Sequence, residues 1–243
     1  MQPLFLFKIL GIPFFSYTTL TISGVALALI AATHQVRQAG RPARLVAPAF
    51  AWIAPPALIA GRIAHVAYNG SYFVERPADL LRFADGGLAF VGVFCGGVVG
   101  FWLWARWQRI AFWEAADLAA LPLAMLATCA WLGAFMYGSQ YGAPTENALA
   151  LELRDTFGVT VARWPTQMLA SAWSALIGLG LLWQSSKTKA RGVRQPTKSQ
   201  GAWFLLTYSI GLFLLDFSRG DQTIYILGLR LSQCLYLVCI LAA

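Results

Sequence analysis

Seven long apolar runs constrain this chain more than any other feature. They fall near residues 14 to 33, 46 to 68, 87 to 105, 117 to 137, 166 to 184, 202 to 218 and 226 to 242, each close to the roughly 20 residues that cross a hydrocarbon core as a helix. Backbone groups in lipid must be satisfied within their own segment, and no run alternates with the period of a barrel strand, so helices are the expected form. Composition agrees, because a 243-residue chain that is 58% hydrophobic and 12% charged is too apolar to present a soluble surface. The expected fold is an all-α integral membrane protein with seven transmembrane helices, residues 1–243 forming a single transmembrane domain.

Lys and Arg in the short loops set the expected orientation. Arg37, Arg41 and Arg44 follow the first span, Arg106 and Arg109 the third, and Lys187, Lys189, Arg191, Arg194 and Lys198 the fifth. Most acids (Glu75, Asp79, Asp85, Glu146, Glu152, Asp155, Asp221) fall in the opposite loops, beside Arg76, Arg82, Arg154, Arg163, Arg219 and Arg230. This bias puts the N-terminus outside and the C-terminus in the cytoplasm. The connection "GSQYGAPTENALALELRDTFGVTVARWPTQ" between the fourth and fifth spans opens with turn residues Gly138, Gly142 and Pro144, so a folded outer loop is expected there. A long ordered loop either serves function or only seals the bundle.

The net charge of +8 needs no nucleic acid. Its largest cluster, "KTKARGVRQPTK", lies on the expected cytoplasmic side, where anionic headgroups attract basic residues. The opening "MQPLFLFKILGIPFF" has no basic region before its apolar run and no small-residue cleavage site, so a cleaved signal is not expected. Cys95, Cys129, Cys234 and Cys239 sit within spans without metal-ligand spacing and suggest buried free thiols. His34 and His65 support neither a metal site nor a Ser-His-Asp arrangement, and Rossmann and P-loop patterns are absent. No cofactor and no metal are expected.

The third span opens with "GGLAFVGVFCGGVVG", residues 86 to 100, in which Gly92, Gly96 and Gly100 share one helical face. Small residues four apart let neighbouring backbones approach closely. The frame of this stretch resembles the signature of the prolipoprotein diacylglyceryl transferase family, usually close to "GGLxxHGGxxGG". "FWEAADLAALPLA", "YGAPT" at 141 to 145, Pro165-Thr166-Gln167, "YSIGLFLLDFSRGDQ" and "GLRLSQ" are similar to later family segments in the same order. The resemblance covers nearly the whole chain. It implies a multi-pass enzyme of the bacterial cytoplasmic (inner) membrane, active in lipoprotein biosynthesis, that moves diacylglycerol from phosphatidylglycerol to the thiol of a lipobox cysteine.

Many of the family's polar groups are replaced. Val91 stands for the signature histidine and Val93 for the glycine after it, Trp131 for an arginine, Ala134 and Tyr137 for two asparagines, and Ser139 for a glutamate. Trp164 replaces a histidine, Leu169 and Ala170 a Tyr-Glu pair, and Leu212 an arginine. Tyr17, Tyr208 and Asp216 survive as candidate catalytic positions, with Asp216 in place of a glutamate. Arg62, Arg219, Gly92, Gly142 and Gln167 are the candidate lipid-binding positions. Asp216 and Arg219 are spaced i, i+3 and suit an ion pair; Tyr17 also suits an interfacial aromatic and Arg62 a snorkelling cation. The substitutions together imply loss of the parent reaction: a degenerate member acting as a phospholipid-binding or scaffold subunit, with a phosphatidylglycerol-like lipid and membrane proteins as partners and no nucleic acid. The alternative is an active transferase with a rebuilt site. A transporter would need paired broken spans in two matching halves, which are absent.

Overall fold

The structure, a computed structural model, describes residues 5–9, 12–82, 87–190 and 199–243. Asp85, Gly86, Arg191, Arg194 and Lys198 lie outside the described residues. The fold is mostly helical: α1 (Ser16–Gln38), α2 (Val46–Tyr68), α3 (Gly70–Glu75), α4 (Phe90–Trp107), α5 (Phe112–Tyr137), α6 (Thr166–Ala190), α7 (Gln200–Leu215) and α8 (Leu231–Ala242). Among the described residues three antiparallel hairpins lie between or before them, β1 (Phe5–Ile9) with β2 (Ile12–Phe15), β3 (Leu151–Arg154) with β4 (Thr160–Arg163), and β5 (Tyr225–Ile226) with β6 (Leu229–Arg230). Among the described residues six helices are long and apolar enough to cross a membrane: Tyr17–Gln38, Ala43–Tyr68, Phe90–Trp107, Phe112–Tyr137, Thr166–Ser186 and Gln200–Ser218. The seventh apolar helix, α8, is shorter.

Several expected boundaries move, and in three spans the shift has a local reason. The first span starts at Ser16 rather than 14, because Ile12–Phe15 pair as a strand, and it runs on to Gln38, ending before Gly40 at φ 72°. The fourth starts at Phe112 rather than 117, since Glu114 and Asp117 are held within the helix. The seventh starts at Leu231 rather than 226: Leu227 (φ 50°) and Gly228 (φ 81°) turn the chain left-handed, and helix resumes only after β6.

The described residues form two compact units, Arg41–Ala115, and Met1–Gly40 with Ala116–Ala243. In the first, α4 lies against α2 through its glycine face. A methyl group at Gly92, Gly96 or Gly100 would collide with the backbone carbonyl oxygens of Ala60, Pro56 and Trp52 respectively. Those carbonyls repeat every four residues on α2, as the glycines do on α4, so two backbones meet along matching rows. Pro56 lacks the N–H that would have bonded the Trp52 carbonyl within the helix, and the missing side chain of Gly100 leaves room for that oxygen. A smaller cluster of Trp104, Ala105, Ile110 and Ala115, with Leu45 and Ala49 against it, closes the other end of this unit.

In the second unit, Ala120, Leu121 and Ala124 of α5, Ile177 and Leu181 of α6 and Phe204 of α7 form the core. Polar bonds tie the same helices. Ser171 donates to the Thr128 carbonyl at 3.0 Å and Trp173 Nε1 to the Thr207 carbonyl at 3.1 Å. The Asp117 carboxylate accepts the Gly201 N–H at 2.7 Å, so a buried acid on α5 meets the orphan donors and positive end of α7.

The glycine face of α4 gives a direct test. Gly92→Ala, Gly96→Ala and Gly100→Ala each force two backbones apart, and each is expected to lower unfolding stability in detergent by about 1–3 kcal/mol. Gly97→Ala is the control, because its new methyl would meet only Ala57 Cβ at 3.9 Å and Ile53 at 4.0 Å, ordinary contact distances. Equal losses at all four positions would refute the packing account.

Candidate functional site

Among the described residues, the densest cluster of buried charge lies where α7 ends and α8 begins. α7 passes through one 3-10 turn, Asp216–Ser218, and the chain then loops through β5 and β6 to return as α8. Asp216 caps the C-terminal end of α7, where the helix dipole opposes a carboxylate, and its side chain is only 2% exposed. It therefore needs partners. Arg219 donates to Asp216 Oδ1 at 3.0 Å, and Ser232 in the first turn of α8 donates to Asp216 Oδ2.

Arg219 also grips Asp221 with both arms of its fork, Nε to Oδ1 at 2.8 Å and an Nη to Oδ2 at 2.6 Å. Arg230 completes the set, donating to Asp221 Oδ1 at 3.2 Å and to the backbone carbonyls of Arg219 at 2.7 Å and Asp221 at 3.1 Å. Two arginines and two aspartates thus cancel their charges. Burial alone would lower the Arg219 pKa, but the hydrogen bonds and charges of Asp221 and Asp216 outweigh it and hold it above its ordinary value. Arg230 is itself fixed as the N-cap of α8, its N–H donating to Gln233 Oε1 at 2.9 Å.

The 138–165 connection is stitched to this loop by backbone. Gly142 pairs antiparallel with Arg219, Ala143 donates to the Ser218 carbonyl at 2.8 Å, and Gly220 donates to the Tyr141 carbonyl at 2.9 Å. Only glycine fits at 142, since a methyl there would strike the Trp164 carbonyl oxygen. The β3–β4 hairpin in this connection is held by Asp155, which accepts from the Phe157 and Val159 N–H groups and from Arg163, each at 2.9 Å. Arg163 in turn lies over the Tyr141 ring at 4.7 Å. Gln167 donates to the Ser139 carbonyl at 2.9 Å, while its Oε1 is buried with no hydrogen-bond partner among the described residues.

Beside the charges lies a packed apolar cluster of Trp131, Ala134, Ala170, Leu212 and Tyr236, with Tyr208 against it. Four of these replace polar residues of the resembled signature, so positions distant in sequence meet in space and fill one volume with hydrocarbon. The Tyr208 hydroxyl accepts from Trp131 Nε1 at 3.2 Å.

The sequence-expected residues therefore separate into groups. Asp216, Arg219 and Gly142 come together, with Gln167 adjoining through the same connection. Tyr208 belongs to the apolar cluster. Tyr17 is 41% exposed and its ring lies 5.7 Å from that of Tyr137. Gly92 and Arg62 belong to the other unit: Gly92 is a helix contact, and Arg62 donates to the carbonyls of Leu80 at 3.0 Å, Gly87 at 3.1 Å and Asp79 at 2.5 Å, with Phe73 beneath it at 5.4 Å. Arg62 thus fastens the connection before α4 to α2. Sequence reasoning missed Asp221, Arg230, Ser232 and Gln233 as site members. They lie in the quoted segments "DFSRGDQ" and "GLRLSQ", and charge within so apolar a chain was the available signal.

A polytopic α-helical membrane protein with a charge-closed cluster where two helices meet is the class that fold and site define. The sequence profile described as prolipoprotein diacylglyceryl transferase matches residues 4–243. Similar proteins named phosphatidylglycerol–prolipoprotein diacylglyceryl transferase occur in Enterococcus faecalis, 27% identical over 98% of this chain and 86% of that one, and Lysinibacillus sphaericus, 27% identical over 93% and 84%. One from Streptomyces coelicolor, numbered 1 in its name, is 29% identical over 91% of this chain and 65% of its own length. The chain belongs to the prolipoprotein diacylglyceryl transferase family, as a divergent member lacking most of the expected polar residues, and is a multi-pass protein of the bacterial inner membrane.

Proposed function

We propose that the chain is a phosphatidylglycerol-dependent diacylglyceryl transferase working with a rebuilt site. The observation that carries this reading is the family match over residues 4–243 together with relatives that all bear that enzyme's name. We further infer one transmembrane domain over the whole chain, with the N-terminus outside, the C-terminus in the cytoplasm and the 138–165 connection on the outer face, from the Lys and Arg distribution. A cytoplasmic reporter fused after residue 40 should be active; an inactive one there, with activity outside, would reverse the orientation.

The reaction sets what the residues must do. A cysteine sulfur attacks the glyceryl carbon of the lipid, the S–C bond forms, the C–O bond to phosphate breaks, and the thiol proton must be accepted while phosphoglycerol leaves as an anion. In this reading Asp216 takes the proton once Arg219 turns from its Oδ1 toward the phosphate. Arg219 and Arg230 are the cations for the phosphate, and they reach it by releasing Asp221, the most exposed of the four at 18%. The unpartnered Gln167 oxygen offers an acceptor to a ligand hydroxyl.

A phospholipid-binding or scaffold subunit without transfer is the second reading, favoured by one observation: Trp131, Ala134, Ala170 and Leu212 pack solidly where polar groups were expected. Expression in cells depleted of their own transferase decides between the two. The proposal predicts that a lipobox cysteine gains the mass of one diacylglyceryl group, and that Asp216→Ala abolishes the gain while the protein still accumulates in the membrane. No mass gain from the wild-type chain would leave the scaffold reading.

A further inference from the structure

The tip of the β5–β6 hairpin is a poor fit to water on two counts. Ile226 and Leu229 close a two-residue turn in which Leu227 has φ 50° and Gly228 φ 81°, the left-handed pair of a type I′ turn. Asn, Asp or Gly take the first of those positions at little cost, whereas a leucine is strained there. Leu227 is also 100% exposed, and Ile224 (42%), Tyr225 (59%) and Ile226 (45%) stand beside it. Asparagine would serve a wet turn better in both conformation and solvation.

Depth supplies the second observation. The span Gln200–Ser218 has 19 residues, about 28 Å of helix, close to the ~30 Å of a hydrocarbon core. The Ser232–Asp216 hydrogen bond sets the first turn of α8 level with the last turn of α7, so the hairpin between them stands at the boundary of acyl chains and headgroups. A tyrosine beside aliphatic side chains suits that boundary.

We propose that the Ile224–Leu227 tip is an anchor inserted among phospholipid acyl chains at this membrane face. Its base is Arg230, locked to Asp221 and to the Arg219 carbonyl, so the anchor fixes the depth of the charged cluster relative to the headgroups. The inference rests on the spanning helices and not on transfer.

The full chain carrying Leu227→p-benzoylphenylalanine, reconstituted in phosphatidylethanolamine and phosphatidylglycerol liposomes and irradiated, should gain the mass of one phospholipid. So should Leu214→p-benzoylphenylalanine, a 61% exposed position on α7. An adduct at 214 with none at 227, or a crosslink from 227 to a polypeptide, would overturn the proposal. Leu227→Asn is the second variant, since it suits the turn. In the bilayer its unfolding midpoint should fall by several degrees, and a rise would mean that the tip is wet. A wild-type chain that transfers no diacylglyceryl group, with the lipid adduct at 227 still formed, would count against the functional reading alone.

Discussion

Asp216, Arg219, Asp221 and Arg230 hold one another in a cluster whose formal charges sum to zero. Each is nearly buried, and an isolated charge at such a place would cost several kcal/mol. The cost is offset only because every carboxylate oxygen meets a donor and the two guanidiniums also take backbone carbonyls. Much of the second unit is arranged around this closure. α7 must stop where Asp216 can cap it, the chain must double back so that Arg230 and Ser232 return to the acids, and the 138–165 connection must come close enough for Gly142 to pair with Arg219.

The first unit is governed by backbone approach instead of charge. Three glycines on α4 and four-residue spacing of carbonyls on α2 fix that pair, and Arg62 pins the following connection by its carbonyls. Arginine in this role is a fastener: its fork satisfies irregular backbone that lipid could not. That role gives Arg62 a structural task on α2.

Much of this was legible in the sequence because hydrophobic length is a strong signal. Six spanning helices could be read from apolar runs, and the glycine face from its four-residue spacing. The seventh span was read too long, since the apolar Tyr225–Leu229 stretch looks like helix until two left-handed residues turn it into a hairpin. The strands are too short for periodicity to reveal. Within the site, Asp216 with Arg219 was legible because they stand three positions apart on one helix end. Asp221 and Arg230 were not, because the hairpin that joins them was not. The convergence of Trp131, Ala134, Ala170 and Leu212 was likewise invisible, for they come from three helices.

A cluster that closes on itself can receive an anionic headgroup only by giving up one of its own acids, and Asp221 is the acid least held by burial. Native mass spectrometry of the purified protein with added phosphatidylglycerol measures this directly. Asp221→Asn, which leaves the cluster one positive charge in excess, should raise phosphatidylglycerol occupancy several-fold over wild type. Arg219→Ala should lower it, and Arg62→Ala should leave it unchanged. Occupancy that ignores Asp221→Asn and Arg219→Ala would contradict the account.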